Sequence, residues 1–371
     1  MFRSTYLIGL GGTGQWILTY LKKELLEINQ GTPPANVKLF AIDTQLADVS
    51  VASSNAAQVD SARRDTMTDA RLGDVHLDRQ IEFLQIGKPL FTFVQQIHYD
   101  RSLPPERQAY KHLDWVDTER LLKLGQAACD TTWGAGAFRQ LGRLSLLYSA
   151  EKVFDHLKTD LEALNLTMDA NATEQQLEIH VACSVAGGTG AGILVDTAWL
   201  VRAAARRLGM RNYVLRAFIL MPTTWDLANS DPNKQMRAFA TWSELDRFMI
   251  SQIAVQGHTK IVFNPNAFPV LDVDCDMPVF DTTYIIDPNR DNNPIAPPAE
   301  NGTFPAVAQA ISFILDEDSG HNFAAHIPNV GTEGHLSLPP GVYHSSIGTY
   351  TLSARLSGSC EILTRTGFCL F

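Results

Sequence analysis

Two glycine-rich turns constrain this chain more than any other feature. Residues 9–15 read Gly-Leu-Gly-Gly-Thr-Gly-Gln, and residues 186–192 read Ala-Gly-Gly-Thr-Gly-Ala-Gly. Each follows an apolar run of strand length, Thr5 to Leu10 and Leu177 to Ser184, and each opens a segment with helical apolar spacing. After the first turn Ile17, Leu21, Leu25 and Ile28 mark one apolar helical face; after the second, a helix is predicted from Ile193 to Leu208, ending at Gly209. A glycine turn at such a junction lets backbone N–H groups approach phosphate oxygens, and the helix N-terminus adds a favourable dipole.

The rest of the chain extends this α/β pattern. Gly31-Thr32-Pro33-Pro34 stops the first helix, and Val37 to Ile42 gives a second strand ending at Asp43, so a mostly parallel sheet flanked by helices is expected. Residues 46–125 are rich in Ser, Asp, Arg and Gln, with a strand expected only near Ile81 to Ile86, and read as an elaborated insertion. Trp133 to Ala137 form a loop that opens a helix with Leu141, Leu144, Leu147 and Val153 inward. Further strands are expected at Tyr213 to Met221, Phe280 to Ile286 and Ser345 to Leu352, and helices at Gln235 to Ile250 and around Val307, Ile311 and Leu315. Arg355 to Phe371 has little periodicity.

Composition narrows the function. The 371 residues carry 30 Lys and Arg against 40 Asp and Glu, a net charge of −10, which argues against a nucleic-acid backbone as direct partner but not against a single nucleotide held by glycine amides. With 45% hydrophobic and 19% charged residues the chain can bury a large core. Gly9, Gly11 and Gly12 interrupt the N-terminal apolar run before it could act as a signal peptide, and no stretch approaches the roughly 20 apolar residues of a membrane span. The five cysteines are scattered without zinc-site spacing, so reduced thiols and a cytoplasmic location are expected.

Taken alone, the first turn fits either a GxGxxG dinucleotide fingerprint, with Asp43 on a ribose as in an NAD-binding Rossmann oxidoreductase, or tight helix-strand packing. One dinucleotide does not need the second turn. That turn is no Walker A sequence, because the Lys-Ser/Thr pair is missing; it suggests phosphates wrapped by backbone amides without a lysine.

Ala186 to Gly192 fits, at every position, the phosphate-loop signature of the tubulin/FtsZ superfamily of GTPases, and the chain resembles that family over residues 5 to about 315, the insertion excepted. Gly9 to Gln15 resembles its first nucleotide loop, Asp43-Thr44-Gln45 its second, and Gly134 to Ala137 with Gly142-Arg143 the loop that closes over the γ-phosphate. Met236 to Ala240 resembles the helix after the ribose-side loop, and the opening motif is most similar to the bacterial tubulin-like subgroup. The resemblance implies GTP or GDP with Mg²⁺, held by Gly11, Gly12, Thr13, Gly14 and Gln15, by Ala135, Gly136 and Ala137, and by Gly187, Gly188, Thr189, Gly190, Ala191 and Gly192. It places Asp43 on a water-mediated Mg²⁺, Asp231 and Arg237 on the ribose side, and Asn301 on the guanine. Trp16 and Trp133 flank the loops as packing residues.

Members of the family complete catalysis across a head-to-tail subunit contact, which implies self-assembly into filaments. The FtsZ pattern Asn-x-Asp-x-x-Asp does not occur after Leu315, so Asp316, Glu317 and Asp318 stand in as the catalytic candidates; without turnover, the same site would make a nucleotide-dependent scaffold or switch. The expected organisation is a nucleotide-binding domain over 1–295, a central helix over 296–318, and a reduced or truncated C-terminal domain over 319–371.

Overall fold

The computed structural model describes residues 2–45, 70–168, 176–225, 231–254, 260–264, 270–275, 277–287, 289–290, 293–294, 302–315, 344–355 and 362–370. Asn301, Asp316, Glu317 and Asp318 lie outside the described residues.

The first unit is β1 (Thr5–Leu10), α1 (Gly11–Ile28) and β2 (Val37–Asp43). A short hairpin, β3 (Arg71–Leu72) and β4 (Val75–His76), leads to β5 (Phe83–Gln85), α2 (Phe91–Asp100), α3 (Thr118–Leu124), α4 (Arg139–Tyr148) and α5 (Ala150–Thr167). Then come β6 (Leu177–Ser184), α6 (Thr189–Arg207), β7 (Tyr213–Leu220) and α7 (Lys234–Ala254). A second hairpin, β8 (Lys260–Asn264) and β9 (Leu271–Asp274), precedes β10 (Thr282–Ile286), the two-residue strands β11 (Asn289–Arg290) and β12 (Asn293–Pro294), α8 (Thr303–Leu315), β13 (His344–Arg355) and β14 (Ile362–Leu370).

Eight strands form one sheet in the order β14-β13-β10-β7-β6-β1-β2-β5, and every pairing is parallel except β13 with β14. Helices cover both faces, so β1 and β6 are buried along their whole length and read as continuous apolar runs instead of alternating ones. One face packs α5, α6 and α7 through Val153, Leu157, Trp199 and Leu245; the other packs α1 and α8 through Ile17, Leu21, Phe304 and Ile311. A satellite core joins α2, α3 and α4 through Val94, Leu121 and Leu141. Because β1, β2 and β6 run the same way, their carboxyl ends open on one edge, the edge where open α/β sheets take ligands.

Three local features depart from the sequence expectation. The helix after the 133–137 loop is two helices broken at Ser149, and Leu146 takes the fully buried place expected of Leu147, which is only partly covered. β5, within the 46–125 stretch, is the last strand of the main sheet, and β14 emerges from a segment with no periodic pattern. Inside the apolar run of β6, Glu178 and His180 are buried, with Glu178 ion-paired to Arg216 of β7 and to Arg3 at 3.3 Å.

Candidate nucleotide site

Where β1 meets α1 the chain turns so tightly that a Cβ on Gly14 would stand 2.4 Å from the carbonyl carbon of Gly9. Gly11, the first helical residue, has φ +68°, a left-handed conformation that favours glycine, and its turn touches the second one: a Cβ there would lie 3.2 Å from the Gly190 nitrogen. The N-termini of α1 and α6 therefore converge. Neither has a side-chain cap or an acidic residue in its first turn, so their unpaired N–H groups face the opening without a carboxylate of their own.

The opening is a cleft of about 490 Å³. Gly11, Gly12 and Thr13 line it together with Asp43, Gly187, Gly188, Thr189 and Gly190; Ala135, Gly136 and Ala137 form one wall, and Asp231 and Arg237 the opposite one. Gly14, Gln15, Ala191 and Gly192, expected among the ligand contacts, are not on its surface. Gly14 serves the crossing of α1 over β1. Ala191 is buried, and its carbonyl accepts from Arg139 Nε at 3.0 Å and from Thr241 Oγ1 at 3.3 Å. A Cβ on Gly192 would come within 2.4 Å of the Arg139 carbonyl oxygen, so this glycine permits close packing of α6 on α4.

Gln15 stands behind the cleft. Its side chain is 4% exposed and donates from Nε2 to Asp43 Oδ2 at 2.7 Å. Burial raises the Asp43 carboxyl above its ordinary range, and hydrogen bonds from the Gln45 and Thr44 backbones, Gln15 and Thr189 pull it back. Thr44 ties three segments together: its Oγ1 accepts from the Ala135 backbone N–H at 2.9 Å and lies 2.7 Å from Thr189 Oγ1.

On the opposite wall Arg237 donates from Nε to the Ala186 carbonyl at 2.7 Å and from NH2 to Asp231 Oδ2 at 2.7 Å. The Asn233 backbone N–H and Arg237 hold the Asp231 carboxyl below its usual range. Behind the second glycine turn, Arg143 donates to both oxygens of buried Asp196 at 2.6 and 3.0 Å and to Glu244 at 3.0 Å, and Arg139 reaches Glu244 at 2.6 Å. This network joins α4, α6 and α7 and fixes the two walls relative to the turn.

Gln45 of the second loop also lines the cleft, as do residues missed in the sequence, Lys234, Ser184 and Trp133, the last read there as packing only. Lys234 is 7% exposed in the first turn of α7. Its spacing of three from Arg237 puts both on one helical face, which is the signal that could have found it. Trp16 is buried in the α1 core, as expected.

Among the described residues no group of three or more His, Cys, Asp or Glu side chains could hold a metal ion, and no helix is long and apolar enough to cross a membrane. The cleft wall carries two carboxylates, Asp43 and Asp231. Such a donor set fits a hard cation held chiefly by phosphate oxygens and waters, and does not fit an all-protein cage.

No curated protein matches the sequence. The chain is similar to the solved structures of CetZ2 from Haloferax volcanii, a GTPγS-bound protofilament, at 14% identity over 95% of this chain and 67% of that one, with a TM-score of 0.45. CetZ1 of the same organism, a GDP-bound monomer, gives 13% identity, 95% and 68% coverage and a TM-score of 0.43. TubZ of Bacillus thuringiensis serovar israelensis, a GTPγS-form protofilament, gives 12%, 95% and 66%, and 0.37. The chain spans about two thirds of the length of each. The family described as "Tubulin like" matches residues 6–330, most of the chain, and this protein belongs to that tubulin-like family of the tubulin/FtsZ superfamily.

Proposed function

We propose that the cleft binds a guanine nucleotide, GTP or GDP, and that the protein is a GTPase that self-associates head to tail. One observation carries the binding: two buried helices, neither capped by a side chain, point their N-termini into one cleft across two glycine turns. A dinucleotide reading needs only the first turn, whereas here both line the same space. The inner phosphates lie against Gly11, Gly12 and Gly187 to Gly190, the terminal phosphate against Ala135 to Ala137, and the ribose against Asp231 and Arg237. Asn301 is the candidate for the base.

Asp43 is the residue that would hold Mg²⁺ through its water shell. Bound there, the cation would neutralise charge developing on the phosphates. Asp316, Glu317 and Asp318 follow α8 and are the candidates to position the attacking water on a neighbouring subunit's nucleotide. A contact between unlike faces builds filaments when its rotation does not close into a ring.

Calorimetric titration of folded protein with GTP, GDP and ATP tests the binding. Guanine nucleotides are expected to bind with Mg²⁺ present, and failure of all three to bind would end the reading. Phosphate release per subunit should rise with protein concentration if catalysis needs a neighbour. Binding with no release at any concentration would leave a nucleotide-dependent scaffold or switch.

A further inference from the structure

The hydroxyl of Thr44 sits where three segments of the cleft cross. Ala135 N–H can only donate, and it donates to Thr44 Oγ1 at 2.9 Å. The same oxygen lies 2.7 Å from the Thr189 hydroxyl and 3.4 Å from Asp43 Oδ1. Thr44 and Ala135 are both buried, so this N–H depends on Thr44 for its partner.

The phosphate turn also has a direction in the cleft. Its start is fixed to the α7 wall, by Arg237 on the Ala186 carbonyl, and Thr189 is fixed to Thr44 beside the Ala135 wall. On the nucleotide reading proposed above, what meets Ala135 is the end of the phosphate chain. In the structure that N–H is already engaged by Thr44.

We infer that Thr44 is a positioning residue that distinguishes nucleoside triphosphate from diphosphate, by holding the Ala135 N–H until a terminal phosphate takes it. The inference rests on the nucleotide reading above. With a diphosphate, Thr44 keeps the Ala135 N–H satisfied; with a triphosphate, a phosphate oxygen replaces it. The hydroxyl thus stabilises the empty and diphosphate states relative to the triphosphate state. Removing it leaves a buried N–H without its partner in the first two states and costs little in the third.

The test is Thr44→Val, which keeps the shape and removes the hydroxyl, with Thr44→Ser as the conservative variant. Calorimetry with GDP and a slowly hydrolysed GTP analogue reads the affinity ratio. Thr44→Val should raise the preference for the analogue over GDP by about 5- to 150-fold, from the usual penalty for an unsatisfied buried N–H, and Thr44→Ser should keep the wild-type ratio. An unchanged or lowered ratio in folded Thr44→Val overturns the inference. Should Thr44→Val not fold, wild-type protein labelled with ¹⁵N-alanine decides: the Ala135 amide signal should shift with the analogue and stay in place with GDP, and a shift with both or with neither overturns it. If wild-type protein binds neither nucleotide, the functional reading falls and the inference with it; normal binding with an unchanged ratio defeats the inference alone.

Discussion

Gly187 and Gly188 are neighbours in one motif, yet an added methyl group meets opposite surroundings at the two. At Gly188 a Cβ would stand 2.4 Å from the Gly136 carbonyl oxygen, 3.0 Å from the Phe138 nitrogen and 3.1 Å from the Ala135 oxygen. All three are backbone atoms, so no rotamer change relieves the overlap, and the 135–138 backbone would have to retreat from the phosphate turn. Overpacking of this kind costs about 1–3 kcal/mol. At Gly187 nothing lies within 4 Å, and its φ is not positive. Replacing it by alanine should leave stability unchanged or raise it by about 0.4–1 kcal/mol through the unfolded chain. That methyl group enters the cleft, where it denies a phosphate oxygen its approach to the turn. Loss of one hydrogen bond to a charged group corresponds to about 10- to 100-fold in affinity.

Denaturant unfolding and calorimetric GTP titration on Gly187→Ala and Gly188→Ala separate the two effects. Gly187→Ala should be as stable as wild type and bind GTP weakly; Gly188→Ala should be the less stable variant. Equal loss of stability in both would refute the packing assignment. A stable Gly187→Ala with wild-type affinity would refute the placement of phosphate at this turn.

Lys234→Met should lower nucleotide affinity on the order of tenfold, because it removes from the cleft wall an ammonium able to pair with a phosphate; a titration at two salt concentrations checks it. Glu178→Ala leaves Arg216 and Arg3 without their carboxylate inside the sheet and should destabilise by about 3–5 kcal/mol in a denaturant melt. Burial raises the Glu24 carboxyl from 4.5 to about 7, against hydrogen bonds with Ser312 and Gln309 of α8 that lower it. A raised carboxyl makes its full contribution to stability below pH 4.5, where both folded and unfolded states are protonated, and loses it as the pH climbs through 7. After allowance for its partial exposure the loss is about 1–2 kcal/mol, and Glu24→Gln should flatten that part of the stability profile.

Much of the α/β core was legible because its signals are local. A buried parallel strand is a short apolar run, its helix shows a periodic face, and glycine marks the junction, so β1, α1, β2, β6, α6 and β7 fall where the sequence placed them to within a few residues. What failed were features decided by distant partners. Glu178 is tolerated in β6 because Arg216 and Arg3 arrive from elsewhere in the chain, which no pattern within residues 177–184 shows. β14 has no apolar period of its own and is defined by antiparallel pairing to β13. Gln15, expected on the nucleotide from its place in the motif, is in the structure tied to Asp43, a partner 28 residues away that the motif does not show.

The glycine turns show why a motif can be more specific than its ligand requires. Wrapping phosphate with backbone amides needs small residues only where the ligand passes, and Gly187 alone in the second turn has open space at its Cβ. Gly188, Gly190 and Gly192 instead abut the carbonyl oxygens of Gly136, Ser184 and Arg139, and Gly142 of α4 abuts that of Gly188. These are contacts among the 135–139 segment, β6, α4 and α6. A chain carrying the full motif must therefore bring those elements together at backbone distance, and that convergence sets Ala135 against Thr44 and Thr44 against Thr189. The motif specifies the architecture of the cleft first, and the open Gly187 and the two uncapped helix ends are what the proposed phosphate site would use.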